Sequence, residues 1–215
     1  MDQKQIERLK QMDAEIMQLE HISALLQWDE EIQMPSKELE GRSDQISLIQ
    51  GMIYDRKTST EMGEVLDALD PHKSQFSKEL TDAQKALIRL SFRDYERQEH
   101  IPKQLITELS KVQSRGQAAW ARARETASFV EFQPHLERIV NLKREWADAV
   151  GYGEHPYDPL IDEYEPGMTT ADVEGVFEPL AASLVRLMDS LPDGSRIDDS
   201  FLYLDYPKDL QDQFG

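Results

Sequence analysis

Cysteine is absent from this sequence of 215 residues. Its absence excludes disulfide scaffolds, thiolate zinc sites and cysteine nucleophiles, and it agrees with a reducing compartment. Any metal site would have to be built from histidine, aspartate and glutamate side chains.

Long hydrophobic runs are absent as well. No stretch approaches the roughly 20 apolar residues that span a bilayer. The N-terminal residues MDQKQIERLKQMD are polar and periodic, unlike a secretory signal. We therefore expect a cytoplasmic protein with no membrane partner.

Positive charge is scarce, since 24 lysines and arginines stand against 42 aspartates and glutamates and give a net charge of -18. Such a chain repels the phosphates of nucleic acids. We expect no nucleic-acid partner.

Recognised catalytic motifs are also missing. No histidine is followed by glutamate, so the zinc motif H-E-x-x-H does not occur, and no histidine pair has helical ligand spacing. Glycine-rich phosphate loops and the G-x-S-x-G serine motif are absent too. We predict no catalytic, metal or cofactor-binding residue in this chain, with each histidine structural or exposed. The five histidines are His21, His72, His100, His135 and His155.

Helical periodicity is what the sequence does contain. Apolar residues recur at helical spacing from residue 2 to 28 and from 37 to 54, and nothing alternates with period two. Further helices are predicted to begin near Pro102 and at four capping-box pairs. Together these signals favour one all-α domain of about eight helices. The pairs are Thr58 with Glu61, Thr81 with Gln84, Ser128 with Glu131, and Thr169 with Asp172.

The segment LLQWDEEIQMP, residues 25–35, places three acids directly after an apolar stripe. Trp28 has two interpretations: it anchors the core, or it sets the direction in which the first helix ends, so that Asp29, Glu30 and Glu31 face a cleft. Acids are so frequent in this chain that the three carboxylates alone indicate only a solvated face.

The segment HPYDPLIDEYEPGMTT, residues 155–170, could be a metal site or a connection between helices. Its prolines and glycine predict about two helical turns from Asp158 to Tyr164 and a break at residues 165–167. We expect Tyr157 and Tyr164 to pack, with their hydroxyls bonded to polar partners. Candidate metal ligands are His155, Asp158, Asp162, Glu163 and Glu165, and a second, loose set is Asp193, Asp198 and Asp199.

Four segments together resemble the N-terminal part of the carboxypeptidase Taq family of zinc metallocarboxypeptidases, in the same order and from residue 24 to 215. The most specific are QWDEEIQMP and HPYDPLIDEYEPGMTT. The four segments are ALLQWDEEIQMP, FQPHLERIVNLKREWADAVGY, HPYDPLIDEYEPGMTTADVEGVFEPL and YPKDLQDQFG.

The resemblance implies an all-α fold like that of neurolysin-type metallopeptidases. Residues 1–70 would form lid-like helices over a groove, and residues 71–215 the remaining helical body. It also implies a peptide substrate, zinc or cobalt in the full-length family, and a homodimer. The segment at 155–170 would be an elbow between lid and catalytic body.

In that family the H-E-x-x-H helix lies beyond the matched part, and this chain ends without a closing cap, so we expect an inactive, shortened chain. The alternative is a non-catalytic helical protein that binds a partner or oligomerises. In both cases some large aromatic side chains should be exposed or covered by a second chain. These are Trp28, Trp120, Trp146, Phe177 and Phe201.

Overall fold

A computed structural model describes residues 2–70, 80–191 and 198–214, and within these ranges the chain is helical with no strand. The all-α prediction is confirmed. The α-helices are α1 (Asp2–Ile32), α2 (Leu39–Lys57), α3 (Thr60–Leu69), α4 (Asp82–Glu99), α5 (Lys103–Thr126), α6 (Phe129–Val150), α7 (Asp158–Ile161), α8 (Thr170–Ser190) and α9 (Lys208–Phe214), with short 3-10 helices at Ser36–Glu38 and Ser200–Tyr203.

The chain forms two compact units, Met1–Gly167 and Met168–Gly215, where the sequence suggested a single domain. The first unit contains α1 to α7 and the second contains α8 and α9. The predicted lid, residues 1–70, lies inside the first unit, and its helices share a core with α4.

That first core joins the N-terminal half of α1 to α2, α3 and α4. Ile6, Leu9 and Leu66 are at most 2% exposed, and each such burial contributes about 1.5–3 kcal/mol of hydrophobic stabilisation. The apolar spacing continues along α1, but its last residue in this core is Ile16, so the core accounts for only the N-terminal half of the helix. The buried members are Ile6, Leu9, Met12, Ile16, Ile53, Met62, Val65, Leu66, Leu69 and Ile88.

A second core forms where α5 and α6 pack against each other as a helical hairpin. Leu142 and Trp146 on α6 are buried against Leu105 and Leu109 on α5. Gly116 permits the close approach, since a Cβ atom there would lie 3.0 Å from Cδ1 of Ile139.

Two of the four predicted capping boxes are confirmed. The side chain of Thr81 accepts a hydrogen bond from the backbone N–H of Gln84, and the side chain of Gln84 accepts one from the backbone N–H of Thr81. Thr169 and Asp172 make the same two bonds. The box at Thr58 is wrong by one residue, because Ser59 is the cap and accepts from the N–H of Met62. Ser128 precedes α6 but makes no capping hydrogen bond.

The second unit exposes its apolar side chains. No residue of α8 is buried, and Phe177 is 59% exposed. The unclassified run at residues 201–204 mostly belongs to the 3-10 helix Ser200–Tyr203. In the part of the chain that the structure describes, no helix has the length and apolarity needed to span a bilayer.

Candidate functional site

A groove of about 580 Å³ runs through the first unit, between the C-terminal half of α1 and the helices α2, α5 and α6. Its floor is apolar and includes Ile46, Ile53 and Leu109. Its walls are polar. This combination, an apolar floor with a limited set of polar side chains above it, is typical of ligand sites.

The walls of the groove are the polar faces of two helices. On α1 the lining residues include Ser23, Gln27, Glu30 and Glu31, at helical spacing. On α5 the lining positions are equally periodic and include Ser110, Gln113, Ser114 and Gln117. Since α1 packs its apolar residues into the first core only in its N-terminal half, its second half presents polar groups to the inside of the unit.

Two of the lining residues join these helices directly. The hydroxyl of Ser114 donates a hydrogen bond to Oε1 of Glu30. The neighbouring Asp29 instead accepts from Arg42 on α2, with Nη1 and Oδ2 2.6 Å apart. Glu30 and Glu31 therefore face the groove, as one of the two interpretations of this segment predicted, and Asp29 does not line it.

Trp28 is not a core anchor, since 54% of its side chain is exposed. That interpretation was wrong because the apolar stripe of α1 leaves the core before it reaches Trp28. The sequence predicted that some of five large aromatic side chains would be exposed. Four of the five are exposed, which confirms the prediction. They are Trp28, Trp120, Phe177 and Phe201, whereas Trp146 is 5% exposed.

Lys57 lines the groove and lies among three carboxyl groups. Its Nζ is 2.8 Å from Oε1 of Glu20 and 3.5 Å from Oδ2 of Asp94. Burial acts to lower the pKa of Lys57, but these two acids outweigh it and raise the pKa. The pKa of Asp13 is raised, mainly by burial and then by the charge of Glu20. One ammonium group among three carboxyl groups thus joins α1, α2 and α4.

Asp162 is the centre of the segment at residues 155–167. Nη2 of Arg93 donates to its Oδ2 at 2.8 Å and to its carbonyl oxygen at 2.6 Å, and Arg97 also donates to Oδ2. The N–H of Gly167 donates to Oδ1 at 2.7 Å, where the positive φ of 88° suits glycine. Arg97 further donates to the carbonyl oxygen of Pro159. Two arginines of α4 thus hold the segment in place.

These contacts lower the pKa of Asp162. Burial opposes the shift, but hydrogen bonds from Arg93 and Gly167 and the charge of Arg97 outweigh it. Trp146 lies under two cations, Lys143 and Arg97, at 5.0 and 5.4 Å. Lys143 also pairs with Glu163 at 3.1 Å. The segment is therefore a salt-bridged connection in this structure.

Three details of the same segment differ from the sequence prediction. The helix α7 covers one turn, Asp158–Ile161, and not two. Tyr157 and Tyr164 do not pack, since they are 55% and 83% exposed. The turn is fixed by Asp162, whose two arginine partners are 65 and 69 residues away in the chain and carry no local sequence signal.

The candidate metal ligands are not brought together. Among the residues that the structure describes, no group of three or more histidines, aspartates or glutamates could hold a metal ion. Nδ1 of His155 accepts from the N–H of Tyr157. Asp198 accepts from the N–H of Ser200, and Asp199 from the hydroxyl of Tyr203. His72 and Asp193 lie outside the described residues.

The comparisons with known proteins identify the family. The model of the carboxypeptidase Taq (M32) metallopeptidases matches residues 8–215. The chain belongs to the carboxypeptidase Taq family. This confirms the resemblance read from the four segments.

Two curated relatives illustrate how much of a family member the chain represents. It is 30% identical to carboxypeptidase 1 of Bacillus subtilis over 89% of the chain and 38% of that protein. It is 31% identical to thermostable carboxypeptidase 1 of Thermus thermophilus over 97% of the chain and 42% of that protein. The chain therefore spans about two fifths of the length of these relatives.

The fold agrees with the family. The crystal structure of BsuCP superposes with a TM-score of 0.85 at 27% identity, over 99% of this chain and 41% of that one. The family implies zinc or cobalt, but the described residues offer no fitting ligand set. No step of a reaction can therefore be assigned to a metal held by them.

Proposed function

We propose that this chain supplies the N-terminal helical part of a zinc-dependent metallocarboxypeptidase that removes C-terminal residues from peptides, and that the chain alone is inactive. The observation that carries the proposal is the unbroken family match from residue 8 to 215, over only 38% to 42% of the relatives' length. Because this match contains no H-E-x-x-H motif, the metal ligands belong to the remaining three fifths.

In this role the first unit provides a wall of the peptide-binding cleft, with residues 1–70 as its lid-like part. The groove between α1 and α5 supports the proposal, since its polar side chains converge above an apolar floor. The hydrogen bonds that Arg93 and Arg97 donate to Asp162 support an elbow role for residues 155–170. The proposal includes a cytoplasmic location.

A chimaera tests the proposal directly. The segment of Bacillus subtilis carboxypeptidase 1 that this chain matches is replaced by the chain, and a second version lacks the segment altogether. We expect the chimaera to release C-terminal residues from a peptide in the presence of zinc, and the shortened version to release none. A folded, zinc-loaded chimaera with no more activity than the shortened version would contradict the proposal.

The second candidate is a non-catalytic helical protein that oligomerises or binds a partner. The observation that favours it is the exposure of the apolar side chains of α8, of which none is buried. Exposed apolar surface of this kind marks either an interface or a surface that further chain covers. A defined stoichiometry of association in sedimentation equilibrium would favour this candidate.

A further inference from the structure

The groove between α1 and α5 contains polar side chains that the first unit itself does not use. In the described ranges, the side chains of Gln27, Gln98, Gln113 and Gln117 line the groove and have no hydrogen-bond partner. Each carries two N–H donors and a carbonyl acceptor. These amides, on α1, α4 and α5 around one groove, offer donors and acceptors of the kind that the N–H and C=O groups of an extended peptide require.

The charges that line the groove divide into paired and unpaired groups. Glu20 pairs with Lys57, and Glu163 pairs with Lys143. Glu30 accepts only from the neutral hydroxyl of Ser114. Glu31 has no ion-pair partner in the part of the chain that the structure describes. Two net negative charges thus remain at the end of the groove where α1 terminates.

We propose that this groove binds an extended peptide segment that carries positive charge, with Glu30 and Glu31 facing its basic side chain and the glutamines bonding its backbone. The choice of a peptide as the ligand rests on the proposed function, whereas the preference for positive charge rests on the groove alone. Trp146 also lines the groove, with its ring against the cations of Lys143 and Arg97. The size of the groove, about 580 Å³, suits a few peptide residues.

The chain itself, without any catalytic partner, is the protein to test. Calorimetry measures the binding of acetyl-Ala-Lys-Ala-Lys-Ala-amide and of its matched acidic peptide, acetyl-Ala-Glu-Ala-Glu-Ala-amide. We expect the basic peptide to bind at least about tenfold more tightly, with an affinity that falls as salt is added. Equal affinities, or no binding of the basic peptide, would overturn the proposal.

Matched variants separate the groove from the overall charge of the chain. Glu31→Gln is compared with Glu125→Gln, an exposed carboxylate on α5 outside the groove. Each removes one negative charge, but only Glu31→Gln should weaken binding, by roughly two- to fivefold for a surface charge pair. If both variants weakened peptide binding equally, the basic peptide would be attracted only by the chain's net charge of -18, and the proposal would be overturned.

The amides are tested in the same way. Gln117→Ala, inside the groove, is compared with Gln104→Ala, which is exposed on α5 outside it. Loss of one peptide hydrogen bond should weaken binding several-fold for Gln117→Ala and leave Gln104→Ala unchanged. Spermidine, which has the charge but no peptide backbone, should bind Gln117→Ala and the parent chain alike; a preference for the parent would contradict the backbone role.

These measurements are independent of hydrolysis. Failure of the chimaera to cleave peptides would refute the proposed function and leave the binding result standing. Failure of the basic peptide to bind would refute the ligand preference and leave the peptidase assignment standing.

Discussion

At the scale of single residues, Asp162 makes the contacts that fix the most diagnostic segment of the chain. Its carboxylate accepts from Arg93, Arg97 and the backbone of Gly167. A carboxylate with several donors is strongly favoured in its ionised form. The sequence predicted a structured connection here, but the partners on α4 could not be predicted, because nothing in the local pattern distinguishes Asp162 from Asp158.

Replacing Asp162 tests this role. Asp162→Asn keeps the shape of the side chain but removes the charge from two partly buried arginines, so it should lower the free energy of unfolding by about 1–2 kcal/mol at neutral pH. Urea denaturation measures the change. Glu165→Gln, an exposed acid three residues later, is the matched control and should change stability by less than about 0.5 kcal/mol.

The pH dependence of the same variant has a definite sign. Because the pKa of Asp162 is lowered in the folded chain, its ionised form stabilises the fold above the unfolded pKa of about 3.9. That contribution is lost as the pH falls through the lowered folded pKa. The stability difference between the parent chain and Asp162→Asn should therefore shrink in acid; a difference that grew on acidification would contradict the lowered pKa.

At the scale of elements, the N-terminal ends of the helices include one that the sequence pattern predicts correctly and one that it does not. Thr81 and Ser128 begin patterns of the same type, T-x-x-Q and S-x-x-E. Only Thr81 forms its capping box, while Ser128 makes no side-chain cap. Ala127, which follows α5 as its C-terminal cap, has the left-handed conformation with φ 52°. The chain therefore reaches Ser128 through a one-residue turn whose geometry the pattern does not encode.

The two caps make a matched pair of substitutions. Thr81→Ala removes a formed capping hydrogen bond and should cost about 1 kcal/mol of stability. Ser128→Ala removes none and should change stability by no more than a few tenths of a kcal/mol. Urea denaturation of both variants checks the prediction. A cost at Ser128 as large as that at Thr81 would show that the pattern forms a cap there after all.

The amphipathic faces of the helices were predictable to different extents. The core face of α3, with Val65, Leu66 and Leu69, follows directly from its spacing. The polar face of the second half of α1 could not be assigned to the groove from its spacing, because a polar face toward an interior groove has the same sequence pattern as a polar face toward solvent. The groove exists only because α5 presents a second polar face opposite to it, at a separation in sequence of more than 80 residues.

At the scale of the whole molecule, the fold class and the family could be read from sequence, and the division into two units could not. The boundary lies at Gly167, within a segment whose motif was already the most diagnostic one. Fold class follows from periodicity and caps, which are local. A unit boundary depends on which distant helices share a core, and that information is spread over the chain.

The exposed apolar surface of the second unit gives a prediction about association. Phe177 and Leu184, on α8, are 59% and 50% exposed. If this face forms a contact between copies of the chain, Phe177→Ser together with Leu184→Ser should reduce concentration-dependent association in sedimentation equilibrium. Val130→Ser, an equally apolar exposed position on α6, is the control and should leave association unchanged.

The outcome also distinguishes the two candidate functions. A parent chain that forms a dimer of defined stoichiometry, lost in the double variant, would favour the oligomerisation module. Weak association without defined stoichiometry agrees with a surface that further chain covers in the whole enzyme.

We propose that this chain, a member of the carboxypeptidase Taq family, lacks the residues that perform the chemistry. This claim is tested most directly by incubating the purified chain, with added zinc or cobalt, with a blocked dipeptide that has a free C-terminus, and measuring the C-terminal amino acid released. The account predicts no release above a control without protein. Release at ordinary enzymatic rates, abolished by a chelator, would contradict it.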